Sequence, residues 1–378
     1  MSAPLPLAGT IVLDISRMLP GAVVVRNLVD LGARVVKIED PHSGDPMRIT
    51  PPLAGGIGVG FLTFFRGVES VTLDLKAPAG AAALRKMARH ADVLVESFRP
   101  GTLDRWDLGY ERLAAQNPGL VVVSLSSFGS DGPEASRIGH DLNFTAVTGF
   151  LSELPPGDLP RVQVADVTAG LLAVSSTLAA LVLRHRTGRG LHVEQPLVTA
   201  PLPFLTWSFA EVGAGGGGVL DGILAGKCPC YRTYLCADGA RVALGAIEPK
   251  FWTALCELAG MSDHAGDGLD TGERGAEAAT RLAAVFGSRS RADWIDLARA
   301  LGIPLTPVND VAAARDELMA HMERTSLPGG GVLPTPAAFL GVPGLRRPHA
   351  PAPALGADTS RVLHELGFTA GEIAEVAG

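Results

Sequence analysis

Three sites in the sequence carry side chains that could move a proton. His140 and Asp141 follow a glycine in RIGHDLNFTAVTGF and open a mostly apolar run. Asp166 ends VQVAD just before the apolar stretch VTAGLLAVSSTLAALVL, and Glu248 follows RVALGAI and precedes a proline. Charged groups in apolar surroundings cost free energy unless they are paired or used. Because histidine and carboxylate are common general acids and bases, acid–base chemistry is the first class of function to consider.

Each of these residues also has an ordinary structural explanation. A lone histidine is more often satisfied or exposed than catalytic, and Asp141 could cap the helix that LNFTAVTGFL predicts. Asp166 could cap the apolar helix after it, although it also ends a predicted strand, where parallel α/β sheets place ligands. Glu248 could be an acid at a helix N-terminus. Spacing alone leaves both interpretations open.

The elements around these residues predict an α/β fold with a Rossmann-like parallel sheet. Apolar runs rich in Val, Ile and Leu alternate with segments of helical periodicity, as in sheets covered on both faces. The predicted strands are TIVLDIS, RVVKIED, VTLDLK, DVLVESF and GLVVVSLSSF, and the predicted helices are AVVVRNLVDLG, GAAALRKMARHA and YERLAAQN. No G-x-G-x-x-G follows the first strand, which argues against NAD or FAD.

A second, smaller α+β unit follows. YRTYLCADGARVALGAI predicts a β-hairpin with its turn at Asp238-Gly239, and helical segments continue from FWTALCELAG to about residue 302. AGGGG (214–218) predicts a linker or surface loop, NDVAAARDEL a capped helix, and the tail TSRVLHELGFTAGEIAEVAG two short helices.

Composition limits the partners. The 378 residues carry a net charge of −7, so neither nucleic acid nor a membrane surface is expected as a partner. The N-terminus lacks a basic n-region, which predicts no signal peptide and a cytoplasmic location. The apolar run 167–183 is Ala-rich and slightly short, so we expect a buried helix rather than a membrane span. No C-x-x-C pair is present, which argues for reduced thiols and no metal site at the four cysteines Cys228, Cys230, Cys236 and Cys256.

An ordered series of motifs resembles the family III CoA-transferases, and within that family most closely the α-methylacyl-CoA racemases. The motifs are GHDLNF, VADVTAG, RTGRGLHVE, Y-x-x-Y-x-x-ADG, GAIEPKFW and PAPALGADTSRVLHELGF, and the similarity covers nearly the whole chain. The resemblance implies a homodimer of interlocked open rings. It also implies a large Rossmann-like CoA-binding domain (1–200 and 335–378), connectors (201–227 and 313–334) and a small domain (228–312).

The resemblance also implies catalytic roles. The racemase pattern makes His140 and Asp166 the general acid/base groups, with Glu248 of the other subunit orienting the histidine. In the transferases the aspartate matching Asp166 is a covalent nucleophile, and the G-H-D histidine is generally absent. We therefore expect a racemase or epimerase of a 2-methylacyl-CoA thioester that needs no cofactor or metal, with CoA as part of the substrate. A CoA-transferase and a non-catalytic acyl-CoA-binding scaffold are the alternatives.

Residues expected to contact the acyl-CoA follow from the same resemblance. They are Leu73, Asp74, Leu75 and Lys76 of LDLK, Arg99 of SFRPG, Arg105, and Gly139, Asp141, Leu142, Asn143 and Phe144 of the GHDLNF segment. The chain departs from the family by carrying Asp40 after the VVKIE strand, Phe65-Arg66-Gly67-Val68-Glu69 in place of N-R-G-K, and a longer spacer, GILAGKCPCY. The first two departures remove positive charge near the expected phosphates or adenine. CoA would then be held differently, more weakly, or replaced by another acyl carrier.

Overall fold

The computed structural model describes residues 5–216, 219–328, 330–345 and 347–377. Gly217 and Gly218 of the expected linker lie outside this part of the chain. The strands are β1 (Ile11–Asp14), β2 (Arg34–Glu39), β3 (Leu53–Ala54), β4 (Ile57–Gly58), β5 (Glu69–Thr72), β6 (Val93–Glu96), β7 (Val121–Ser126), β8 (His192–Pro196), β9 (Tyr231–Leu235), β10 (Arg241–Gly245), β11 (Leu305–Pro307), β12 (Met322–Ser326) and β13 (Val332–Pro336).

The helices alternate with these strands. They are α1 (Met18–Asp30), α2 (Val59–Phe64), α3 (Pro78–Ala88), α4 (Thr102–Arg105), α5 (Tyr110–Ala114), α6 (Asp141–Val147), α7 (Val164–Thr187), α8 (Thr206–Gly213), α9 (Val219–Leu224), α10 (Pro249–Leu258), α11 (Glu273–Phe286), α12 (Arg291–Leu301), α13 (Val311–Glu317), α14 (Thr359–Glu365) and α15 (Ala370–Ala377). The chain divides into two compact units, one of residues 1–205 and 319–378 and one of residues 206–318.

The larger unit contains a six-stranded parallel sheet in the order β5-β2-β1-β6-β7-β8. One apolar core lies between this sheet and helices α1 and α7. A second lies on the opposite face, where α3 and the two helices of the tail, α14 and α15, pack. The predicted α/β fold with a covered parallel sheet is therefore confirmed. From β1 the next strands along the chain are added on one side of the sheet, and from β6 they are added on the other side. Folds of this kind open a ligand crevice at the point between two such strands, here β1 and β6.

Two predicted strands differ from the structure. VTLDLK is a strand only as far as Thr72, and Leu73 to Lys76 form the loop that follows β5. VQVAD is not a strand, because α7 begins at Val164 and Asp166 is its third residue. The alternation of apolar and polar residues in VQVAD predicted a strand wrongly, because the apolar residues at a helix N-terminus can alternate in the same way over so short a stretch.

Helix α7 is only partly buried, against the expectation of a buried core helix. Its small residues allow close packing: a Cβ on Gly170 would lie 2.6 Å from the Cβ of Val23 in α1. The outer face remains exposed, including Val182 at 62% and Leu183 at 48%. By length and mean hydropathy (1.8), α7 is the one helix in the described residues that could cross a membrane, and 33% of its apolar window is buried.

The smaller unit is built on a three-stranded antiparallel sheet in the order β11-β10-β9. The predicted hairpin is confirmed, with Gly239 at a positive φ of 77° in its turn. The predicted cap of NDVAAARDEL is also confirmed, because the Asp310 carboxylate accepts a hydrogen bond from the N–H of Ala313. All four cysteines lie in the core of this unit, where burial raises the pKa of Cys256 to about 11, as expected for an unreactive thiol.

Candidate active site

His140 lies where a loop enters helix α6. It occupies the N-cap position with extended backbone, and its N–H donates to Oδ1 of Asn143 at 3.0 Å. The side chain of His140 is exposed. Two aromatic rings fix this entry, since a Cβ on Gly139 would lie 2.8 Å from Cε1 of Phe144 and 3.1 Å from Cε2 of Phe128. The glycine is therefore required by the close approach of the backbone to this ring pair.

Asp141 caps a helix, but not its own. It is the first residue of α6, and its Oδ1 accepts a hydrogen bond of 3.0 Å from the backbone N–H of Asp166 in the first turn of α7. Helix N-termini leave such N–H groups without intrahelical partners. The bond spans 25 positions of sequence and brings the segment carrying His140 to the segment carrying Asp166.

Asp166 is a half-buried carboxyl at this junction. Burial raises the pKa of Asp166 to about 6, the Asp141 carboxylate adds to the rise, and His140 opposes it. A helix N-terminus ordinarily favours the anionic form of a carboxyl, but at Asp166 the loss of solvation outweighs that effect and the pKa rises. A carboxyl with this pKa can both accept and return a proton near neutral pH.

Glu248 lies in the smaller unit, and His140 and Asp166 lie in the larger one. It is the N-cap residue of α10, and its exposed side chain makes no capping hydrogen bond. The expected position at a helix N-terminus is confirmed. Its expected pairing with the histidine of another subunit stays a prediction.

The LDLK loop lines a depression at the carboxyl ends of the parallel strands, which we call the strand-end cavity. Its walls are the ends of β1 and β2, the loop 73–76, and the rings of Phe98 and Trp106. These two rings meet edge to face at 5.1 Å, and the guanidinium of Arg17 lies 5.4 Å from the centre of the Phe98 ring. Leu73 and Leu75 are buried, whereas Lys76 is exposed.

A second depression, the arginine cavity, has a volume of about 350 Å³ and shares Phe98 with the first. Arg99, Arg105 and Arg137 line it, together with Ile138, two residues before His140. No carboxylate is among the described residues that line it. The strand-end cavity encloses only about 30 Å³, whereas the arginine cavity brings three guanidinium groups close to the segment that carries His140.

Several residues that line these cavities carry no recognisable signal in the sequence. Arg137 lies in the quoted stretch RIGHDLNF, three residues before the histidine, and packs 4.5 Å from the centre of the Phe128 ring. Arg17 and Trp106 stand in loops with no recognisable pattern. Arg17 lies three residues before Pro20 and Trp106 follows Arg105, and neither placement distinguishes a binding residue from an ordinary loop residue.

Comparison with known proteins agrees with these features. The model of the CoA-transferase family III matches residues 7–359. The human α-methylacyl-CoA racemase is 32% identical over 97% of this chain and 95% of its own length. The acetyl-CoA:oxalate CoA-transferase of Acetobacter aceti is 31% identical over 91% of both chains.

Solved structures agree as well. The CAIB/BAIF family protein from Brucella suis superposes with a TM-score of 0.82 and 27% identity, covering 96% of this chain and 100% of its own. A match that spans the chain in both sequence and structure shows the family, whereas racemases and transferases both occur among the relatives. This chain belongs to the CoA-transferase family III.

Proposed function

We propose that the protein is a racemase or epimerase that inverts the α-carbon of a 2-methylacyl-CoA or a related thioester by 1,1-proton transfer. The observation that carries the proposal is the junction of α6 and α7, where Asp141 joins the His140 and Asp166 segments by one hydrogen bond. The raised pKa of Asp166, about 6, suits a group that must alternate between base and acid.

Inversion requires two proton carriers. One group removes the α-proton from one face of the carbon, the electron pair delocalises onto the thioester oxygen as an enolate, and the second group returns a proton to the opposite face. Histidine ordinarily titrates near neutrality and suits one face, while the Asp166 carboxylate suits the other. In the reverse reaction the two groups exchange roles, so both must be able to hold a proton at the working pH.

A CoA-transferase is the second candidate, because relatives named acetyl-CoA:oxalate and succinyl-CoA:glutarate CoA-transferases are about as similar as the racemase. Asp166 would then attack the thioester carbonyl and expel the CoA thiolate, forming an acyl anhydride. The CoA thiolate would next attack the aspartyl carbonyl of that anhydride, releasing the donor acid and leaving an aspartyl-CoA thioester. The acceptor carboxylate would attack this thioester and expel CoA thiolate again, and the thiolate would then attack the acceptor's acyl carbon, giving the new acyl-CoA and restoring Asp166. That chemistry uses one carboxylate and leaves His140 without a role, which is why we place it second.

CoA would bind as part of the substrate, with no further cofactor or metal. Arg99 and Arg105 are the proposed partners of its pyrophosphate in the arginine cavity, and Leu73, Asp74, Leu75 and Lys76 of the LDLK loop are its proposed nucleotide contacts. Guanidinium groups suit phosphate because their N–H groups form a rigid fork. Gly139, Leu142, Asn143 and Phe144 would flank the acyl thioester beside His140.

The proposed assembly is a homodimer. The larger unit exposes the outer face of α7 and Phe204 (59%), and the smaller unit exposes Trp207 (66%) and Phe209 (54%). Exposed apolar surface of this extent marks an interface with another chain or with a membrane. We expect light scattering to give twice the chain mass; a stable monomer, or recovery only with membranes, would contradict the dimer.

The test is incubation with a panel of CoA thioesters in deuterated water, followed by mass spectrometry of the acyl and CoA products. We expect deuterium at the α-carbon of a branched acyl thioester and inversion of its configuration. Exchange of CoA between two acids, with no α-deuterium, would instead support the transferase. CoA binding with neither reaction would leave the non-catalytic scaffold.

Asp141 offers a test of the acid–base assignment through pH. In Asp141→Asn the amide oxygen can still accept from the N–H of Asp166, but the negative charge that helps to raise the pKa of Asp166 is gone. The pKa of Asp166 should fall, so the acid limb of the pH profile of kcat/KM for α-deuterium exchange should move to lower pH. Burial remains, so the shift should be partial. An unmoved acid limb would show that it reports a different group.

A further inference from the structure

The arginine cavity and His140 are joined by a short segment of chain. Residues 137–140 lie in no helix or strand; Arg137 at one end lines the cavity, and His140 at the other end begins α6. The guanidinium of Arg137 pairs with Glu134 at 2.8 Å, and the two side chains are 49% and 55% exposed. An ion pair this exposed contributes little to stability, so Arg137 can exchange its partner at low cost.

Two aromatic rings connect Arg137 to the residue before the histidine. The Arg137 guanidinium lies 4.5 Å from the centre of the Phe128 ring, and the Phe128 and Phe144 rings meet edge to face at 5.4 Å. Gly139 packs so closely that a Cβ there would lie 3.1 Å from Cε2 of Phe128. Phe144 is fully buried, whereas Phe128 is only partly buried. Phe128 therefore contacts both the arginine of the cavity and the glycine that precedes His140.

A diphosphate in the arginine cavity would give Arg137 a stronger partner than Glu134. Three guanidinium groups and no carboxylate are among the described residues that line this cavity, so it favours an anion of high charge. Phosphate oxygens also accept the two parallel bonds of a guanidinium fork. Because cation–π attraction holds the guanidinium against the ring of Phe128, a change in the position of Arg137 is passed to that ring and to Gly139.

We propose that a diphosphate bound in the arginine cavity fixes the position of His140 through Arg137 and the ring of Phe128. Arg137 and Phe128 are then positioning residues, which act on the reaction through the histidine. The inference rests on the proposed function for the identity of the diphosphate, that of CoA, and for the role of His140. Binding energy from a remote part of the substrate is thereby used at the reacting carbon, and it raises kcat as well as affinity.

The first test needs no turnover, because it uses inorganic pyrophosphate as the probe and the ring resonances of His140 in histidine-labelled protein as the readout. His140→Gln identifies these resonances in the spectrum. We expect saturating pyrophosphate to shift them in the wild-type protein. In Arg137→Gln and in Phe128→Leu, calorimetry should still detect pyrophosphate binding through Arg99 and Arg105, but the shift of the His140 resonances should be lost.

The second test compares the thioester of CoA with the same thioester of pantetheine, which lacks the diphosphate. We expect kcat for α-deuterium exchange in the wild-type protein to be about tenfold or more higher with CoA, because small displacements of a catalytic group cost rate. Arg137→Gln and Phe128→Leu should lose this advantage in kcat, and Arg137→Lys, which keeps the charge, should retain part of it. Arg299→Gln is the matched control, since it removes a similar exposed pair, with Asp296 at 3.0 Å, and should change neither readout.

Several results would overturn the inference. They are no binding of pyrophosphate, binding that leaves the His140 resonances unmoved, and a shift that persists in Phe128→Leu, which keeps all three guanidinium groups and so would report the charge of the probe alone. An Arg137→Gln variant that raises KM for the CoA thioester without lowering kcat would make Arg137 a simple anchor. Failure of the proposed function would look different: the resonance shift and its loss in the variants would be found, but no thioester would acquire α-deuterium.

Discussion

Replacing His140 by glutamine is expected to lower the rate of α-deuterium exchange by about 10³-fold, within the range for loss of a positioned general acid or base. Glutamine keeps a polar side chain at the exposed N-cap of α6 but cannot carry a proton between pH 5 and pH 8. The backbone N–H of residue 140 donates to the side chain of Asn143, and this bond does not involve the side chain of residue 140, so the fold should persist. The measurement is the initial rate of deuterium incorporation into a 2-methylacyl-CoA.

His185→Gln is the matched control for this experiment. His185 is an exposed histidine in the last turn of α7, far along the helix from Asp166, and its loss should leave the exchange rate unchanged. Full activity of His140→Gln would rule out the racemase mechanism. If transfer of CoA between acids also persisted in that variant, the transferase would become the leading assignment.

Much of the larger unit could be predicted from the sequence because its signals are local. Strands β1, β2, β6 and β7 are short runs of Val, Ile and Leu, and periodic segments between them form α1 and α3. The hairpin in the smaller unit followed from the Asp238-Gly239 turn in the same way. Each of these elements is determined by residues within about ten positions of one another.

The parts that failed depend on distant partners. By its sequence position Asp141 could either cap α6 or support the site; its carboxylate accepts a hydrogen bond from the N–H of Asp166, and nothing local to either residue encodes that bond. The shift in the pKa of Asp166 has the same origin, because burial and a distant charge outweigh the helix dipole. The resemblance to the family pointed to the residues of the site, but only the structure supplied their electrostatics.

Asp166→Asn is expected to abolish activity and to stabilise the protein at the same time. Both the racemase and the transferase need the carboxylate, so exchange and transfer should each fall by about 10³-fold or more. The pKa of Asp166 is about 6 in the folded protein and near 3.8 when unfolded, so the folded state binds more protons between these values. Stability is therefore lost as the pH rises through this interval.

Asparagine removes that cost because it has the same shape and no charge. At about pH 7.5 the free energy of unfolding should rise by roughly 1–2 kcal/mol, after allowance for the partial exposure of the side chain. At about pH 4.5 the gain should be much smaller, because Asp166 is then mostly protonated in the folded state. Thermal or urea unfolding at both pH values measures this change in the free energy of unfolding, with the exposed Asp158→Asn as control.

An inactive Asp166→Asn variant without the pH-dependent gain in stability would mean that the Asp166 carboxylate is better solvated than its burial indicates. An active variant would remove Asp166 from both mechanisms. Loss of activity together with the gain would show that the protein sacrifices stability to hold a proton-carrying carboxylate at the junction of α6 and α7.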